Sequence, residues 1–359
     1  MLLKENKIVE KICEIPVTLE DVAESIFEGV STKNLLMHRL LLPEEGGSDS
    51  YYLCEGLCKP VFSEYELAYP YVSGALSENF TFLPSTYRFM LPYELSDEGK
   101  KKEYRLIQPE DLKARFPLAY ERILEFKNEF LHDTSSLNAE DYSINGRKIL
   151  KYLNTPKIIA TEGYHLQAAY DAVGNYVFED GCGIVLKDPD KYPYVTAVLN
   201  SPIARLFPAV CKSEMIFSSY TAPTVLKRFP IVFPDNNLTE DLINTISSYL
   251  MFLNRQKYAT DYGVTDWLQE LVGFYEHVSS LLVLDTYFIN DLDSRLLGAL
   301  EENIHPYAGD MESVNIDGFL SALYYIKKQI LETSSFGKYK FNMGLPEILN
   351  SSQAAKNSE

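Results

Sequence analysis

Residues 226–258 read LKRFPIVFPDNNLTEDLINTISSYLMFLNRQKY, and the chain changes character inside this stretch. Up to Pro234 the run RFPIVFP is apolar, β-branched and aromatic, and proline closes it, the pattern of a short strand. From Leu238 onward the apolar residues recur three and four apart, the period of one buried helix face.

On the N-terminal side, KIIATE (157–162), YVFED (176–180) and GIVLK (183–187) also read as strands. Gly174-Asn175 in YDAVGNYVF (170–178) reads as a hairpin turn. Some helices interrupt these strands. TLEDVAESIF (18–27) places Thr18 as an N-cap with Asp21 three residues on. PEDLKARFPLAYERILEFKNEFL (109–131) is amphipathic and broken or restarted at Pro117. YVTAVLNSPIARLF (194–207) is a helix with a break at Asn200-Ser201-Pro202.

On the C-terminal side, residues 238–258, 264–288 and 314–334 predict three long helices with no strand between them. The expected fold class is therefore α+β: a mixed, mostly antiparallel twisted sheet over 1–234, then an all-helical region over 235–333. Residues 334–359 form a C-terminal tail expected to be partly disordered.

Charge follows the same division. The formal net charge is -18. Residues 1–234 hold 25 basic and 33 acidic side chains, and residues 235–334 hold 5 and 16. The acidic excess thus concentrates in the helical region, and the first region keeps local basic windows. Residues 142–157 carry Arg147, Lys148, Lys151 and Lys157 with no acid, and residues 200–230 carry Arg205, Lys212, Lys227 and Arg228 against Glu214. A third group, Lys100, Lys101, Lys102 and Arg105, is diluted by acids. Such windows permit anion steering on an acidic protein.

Five scattered cysteines do not make a disulfide framework, and Cys54 with Cys58 has no second pair at zinc-ligand spacing. The five histidines stand far apart. Charges interrupt the N-terminus throughout, unlike a secretory signal. No apolar run is long enough to cross a bilayer. A cytoplasmic protein without membrane partners is the default. Walker loops, nucleophile elbows and zinc-protease helices are missing. So are the glycine loop that holds a methyl donor and the Asn/Asp-Pro-Pro-aromatic loop that grips a target amine. Two carboxylates brought together in space remain an open route to acid–base chemistry.

Several separated segments, in order, resemble one family. TLEDVAESIFEGVSTKN (18–34) resembles the entry helix and Gly-x-Ser/Thr-Thr loop of a target-recognition domain. YRFMLPYEL (87–95) resembles its Pro-Tyr strand, and LKARFPLAYERILEFKNEFL (112–131) its Phe-Pro-x-x-Tyr helix. NGRKILKYLNTPKIIATE (145–162) is similar to an arginine ahead of a Pro-Lys-Ile-Ile strand, and AAYDAVGNYVFEDGCGIVLKD (168–188) to an Asp-x-x-Gly hairpin. Leu199-Asn200-Ser201 and Phe229-Pro230-Ile231 complete the set. Together they resemble the TaqI-type C-terminal specificity domain of type IIG restriction-modification enzymes, over residues 8–234. The helix around 274–288 is similar, more weakly, to helices that follow that domain. The stretch YPYVSGALSENFTF (69–82) departs from the family in carrying no basic residue.

The resemblance implies sequence-specific recognition of double-stranded DNA for an adenine-specific methylase, without catalysis by this chain. Loops would read the major groove while Lys and Arg set register on phosphates. The chain would carry no cofactor of its own, S-adenosylmethionine being expected only on the methylase domain, in the same or a partner chain. It would be a fragment of a longer methylase or a separate specificity subunit. The residues expected to touch DNA are Thr32, Lys33, Asn34, Arg147, Lys148 and Lys151. Two other readings stay open: an acidic interaction module or inhibitor on the same fold, and a hydrolase or transferase whose site no motif reveals.

Overall fold

The computed structural model describes residues 10–41, 50–52, 62–72, 79–82, 87–96, 103–162, 166–210, 222–259, 266–289, 292, 294–306 and 315–333. The fold is α+β, with a helical C-terminal region that contains no strand among the described residues. Its centre is a four-stranded sheet in the order β1 (Ala23–Glu28), β12 (Cys182–Leu186), β9 (Lys157–Glu162), β10 (Leu166–Asp171), antiparallel at every step. The two-residue period of these strands sends Ile26, Ile158, Ala160, Ala168 and Ile184 into one core and Phe27, Ile159, Ala169 and Val185 into another. Burial on both faces explains why KIIATE and GIVLK read as almost unbroken apolar runs.

Helices α6 (Tyr192–Asn200) and α7 (Pro202–Val210) cover the first face, and α9 (Asn237–Ala259) and α10 (Asp266–Leu284) pack behind them. One continuous cluster joins Ile158 and Ile184 of the sheet to Val198, Ile246, Phe274 and Ile330. The helices after Pro234 therefore bury their apolar faces on the sheet's own core. Helices α11 (Ser294–Asn303) and α12 (Ile316–Glu332) complete that region.

Over the second face lies a six-stranded sheet in the order β11 (Val177–Phe178), β5 (Ala68–Val72), β6 (Tyr87–Met90), β2 (Arg39–Leu41), β3 (Ser50–Tyr52), β4 (Phe62–Glu64). Only its β11–β5 step is parallel. The pair β7 (Tyr93–Ser96) and β8 (Glu103–Leu106) adjoins it. Helices α3 (Pro109–Arg115) and α4 (Pro117–Phe130) pack on a third core through Leu112, Ala119, Ile123 and Phe126. Proline starts each helix, where its missing N–H costs nothing.

Four local expectations need correction. The helix read over 18–27 is one turn, α1 (Leu19–Val22), after which the chain becomes β1. The Thr18 backbone N–H and hydroxyl both donate to Asp21 Oδ2, at 2.7 and 2.9 Å, so the cap signal is real. Pairing of β1 with β12 overrides the helical propensity of Ala23 and Glu24. The run RFPIVFP makes a single bridge, Thr18 with Pro230, rather than a strand, because its prolines lack donors. Gly174 turns the chain at φ +81°, yet β10 and β11 do not pair with each other: β11 leaves for the second sheet. A shorter helix, α11, joins the three expected after Pro234. Cys54, Cys58, Cys211, His165, Lys100, Lys101, Lys102, Lys212 and the tail 334–359 lie outside the described residues.

Candidate nucleic-acid interface

Loop 29–34 leaves the end of β1. Gly29 is demanded by close approach, since a Cβ there would meet the Phe178 and Glu179 carbonyl oxygens at 2.4 and 2.3 Å. Val30 N–H donates to Phe178 O at 2.8 Å, fixing the root of the loop. Beyond it, Ser31 and Asn145 form an antiparallel bridge: Ser31 N–H to Asn145 O at 2.9 Å and Asn145 N–H to Ser31 O at 2.6 Å.

That bridge brings the two halves of the expected site together. Gly146 at φ +153° turns the chain into α5 (Arg147–Lys151). Ile149 and Leu150 anchor this turn in the core, and Arg147, Lys148 and Lys151 face solvent. Lys33 is exposed, and Thr32 and Asn34 are half-buried. Asn34 N–H donates to Thr32 Oγ1 at 3.3 Å, so Thr32 is partly engaged in holding the loop's shape.

Three residues outside the expected set position it. Tyr93, of the Pro-Tyr strand, accepts from Ile144 N–H at 3.0 Å and props the approach to Asn145. Arg122 is buried and donates to the carbonyls of Leu36, Met37 and Arg39 at 2.6–3.1 Å. It thereby ties down α2 (Leu35–His38), which follows the loop. Burial pulls the Arg122 guanidinium down to about 9, still charged at neutral pH. Asn145 itself is exposed beside Arg147, at the point where the two segments meet.

The cations differ in their availability. Among the described residues neither Arg147 nor Lys148 has an ion-pair partner. Lys151 donates to the Tyr152 hydroxyl at 2.8 Å and lies 4.5 Å from that ring's centre. Tyr152 in turn donates to Glu24 at 3.2 Å. These bonds hold the Lys151 pKa above its ordinary value, through Tyr152 first and Glu24 last. Glu28 lies opposite Cys182 in the sheet, and burial, then Glu28, push the Cys182 thiol up while Lys148 opposes them. The other basic window is partly neutralised, with Lys227 paired to Glu20 at 2.7 Å.

The remaining motifs of the resemblance do structural work. Lys157 pairs with Asp171 at 2.8 Å, both side chains almost wholly buried, and also donates to Gly174 O. Asp171 accepts from Gly174 N–H at 2.7 Å and Tyr176 N–H at 2.9 Å. The Pro-Lys-Ile-Ile lysine and the Asp-x-x-Gly aspartate are thus one buried pair that fixes the 171–176 turn. Burial lowers the Lys157 pKa against the pull of Asp171. In Leu-Asn-Ser, Asn200 Oδ1 accepts from Ala168 N–H at 2.9 Å and Nδ2 donates to Ala168 O at 2.8 Å. One side-chain amide thereby stands in for a neighbouring strand along β10.

Among the described residues no three His, Cys, Asp or Glu side chains gather as a metal site would require. A cleft of about 370 Å³ is lined by Asp235, Asn236, Thr239, Asp285 and Thr286 among others. No helix among the described residues is long and apolar enough to cross a membrane. No model of a known protein family matches this chain, and a search of curated proteins finds no match either.

Proposed function

We propose that this chain is a DNA target-recognition domain for an adenine-specific restriction-modification methylase, and is non-catalytic by itself. One observation carries the reading. Segments 114 residues apart, each singled out from sequence for its residue types, meet at the Ser31–Asn145 bridge on one solvent-facing edge. That edge combines short hydrogen-bonding side chains, Thr32 and Asn34, with the cations Lys33, Arg147 and Lys148. The first kind reads base edges and the second grips phosphates. The methylase domain, in the same or a partner chain, supplies S-adenosylmethionine and the chemistry, and flips the target adenine out of the stack.

Fluorescence anisotropy of duplex DNA against the chain, over a salt series, tests this. Weak binding is expected, because the overall charge of -18 opposes phosphate. Arg147→Ala with Lys148→Ala should weaken it and flatten the salt dependence, by about one unit in log K per log salt for each phosphate no longer gripped. Lys151→Ala should cost less, since Tyr152 and Glu24 already engage that ammonium. A double variant that binds like the parent at every salt concentration rules this edge out. The acidic charge of the helical region would then favour an interaction module that docks a basic partner.

A further inference from the structure

Half of the large apolar side chains that stand exposed among the described residues lie on α10 and α12: Trp267, Ile316, Tyr324, Tyr325 and Leu331, with Tyr324 51% and Tyr325 62% exposed. Phe319, Leu323, Lys327 and Ile330 of α12 turn inward. Tyr275 OH donates to Leu323 O at 2.9 Å, and Lys327 pairs with Glu270 at 2.6 Å, so α12 is clamped onto α10. A solvent-exposed face of α12 beside the buried one carries Asp317, Ser321, Tyr324, Lys328 and Leu331, spaced by three and four residues along one stripe, with Lys328 only loosely held, 3.9 Å from the exposed Glu332. Beside it runs a groove of about 470 Å³ lined by Trp267, Asp317, Leu320, Ser321 and Tyr324.

We infer that this face pairs with the same face of a second copy of the chain, two α12 helices packing antiparallel about a two-fold axis. The stripe is self-complementary in that arrangement alone. Reversed on itself about Ala322–Leu323, it sets Asp317 opposite the other copy's Lys328, and Ser321 opposite the other copy's Tyr324. A two-fold axis repeats both contacts. The large Tyr324 ring meets the small Ser321, next to the groove and Trp267. A basic partner is the obvious alternative for a region holding 5 basic and 16 acidic side chains. It fits this stripe poorly, because Lys328 would face another cation. The net repulsion between two acidic regions is screened beyond about 8 Å at physiological ionic strength. One helix face with a flanking Trp buries less than a standard interface, so a dissociation constant of roughly micromolar order is expected. This pairing does not depend on the DNA-reading proposal.

Sedimentation equilibrium of the full chain at physiological salt, from about 1 to 100 µM, should show the mass rising from 41.0 kDa toward twice that value. Lys328→Glu alone places acid against Asp317, and Asp317→Lys alone places base against Lys328, so each variant should remain monomeric. Mixed in equal amounts they should associate, because each then supplies what the other lacks. Both positions are exposed, so circular dichroism should report an unchanged fold. Tyr324→Ser should also abolish association. A parent chain that stays monomeric throughout overturns the pairing and leaves the face to the chain's own residues 334–359 or to a methylase domain. So does an association that neither the single charge changes nor their mixture moves.

Discussion

His38 closes α2 just beyond the candidate loop, fully buried and stacked on Phe89 with ring centres 5.1 Å apart. Its Nδ1–H donates to Met90 O at 2.8 Å, while Nε2 has no partner among the described residues. A second proton would therefore enter an apolar site with nothing to receive it, and burial lowers the pKa from 6.5 to about 4. The sign follows from which state binds the proton first. Below about pH 6.5 the unfolded chain takes it and the native state does not, so stability falls as pH drops toward 4 and is fully present above 6.5. The loss should approach 3 kcal/mol, on the order of 1.4 kcal/mol per pH unit. Burial also lowers the pKa of half-buried His277, so the comparison is a difference. In urea unfolding at stepped pH, His38→Phe should remove part of the parent's decline over this window, even if it is less stable at pH 7. Parallel curves for parent and variant would show that His38 is protonated in the native state. None of this could be read from the sequence, where His38 is one of five isolated histidines; its meaning comes from Met90 and Phe89, about fifty residues away.

The strand β10 forms the open edge of the central sheet, and edges of this kind recruit foreign strands unless something covers them. Here the cover is made from α6 and one loop: the Asn200 amide takes both backbone groups of Ala168, and Phe80 N–H also donates to Ala168 O at 2.9 Å. Asn200→Ala would strip the Ala168 N–H of its acceptor, at a cost of about 1–3 kcal/mol for an unpaired buried amide. Hydrogen exchange should then show Ala168 losing roughly tenfold or more of its protection, while Ile158 in the sheet interior changes little. Equal loss at both amides would mean that the whole sheet, not its edge, depends on Asn200. The helix and its break at Ser201 were evident from periodicity and proline. The purpose of the asparagine was not, since its partner lies 32 residues away on a strand. The same limit explains β1: Ala23 and Glu24 favour a helix locally, and only pairing with β12 makes them a strand. The candidate site shows both sides of this. The residue types of 32–34 and 147–151 stood out in the sequence, whereas their meeting at Ser31–Asn145, and the props from Tyr93 and Arg122, are non-local.

The change of pattern at Pro234 is not a structural boundary: the last strand among the described residues, β12, ends at Leu186, and the core runs on across Pro234. Val195, Val198 and Leu199 of α6 lie in the same apolar cluster as Ile243, Ile246 and Leu250 of α9. A chain ending at 234 would leave that side of α6 and α7 in water. It should therefore bind a hydrophobic dye strongly and unfold without a sharp transition, as a partly packed state does. A sharp, two-state denaturation curve for residues 1–234 would show that the recognition half holds its own core. The long reach of the central sheet has a further effect, on how the chain comes to be made. Ala23 pairs with Leu186, and Leu19 N–H is held by Phe229 O. During synthesis from the N-terminus, β1 leaves the ribosome roughly 160 residues before β12, its neighbour in the sheet, is translated. For that interval Ile26 and Phe27 lack the strand they pair with. Refolding should accordingly be slow, in the range of non-local β pairing, and production should respond to growth temperature and to chaperones that hold nascent strands.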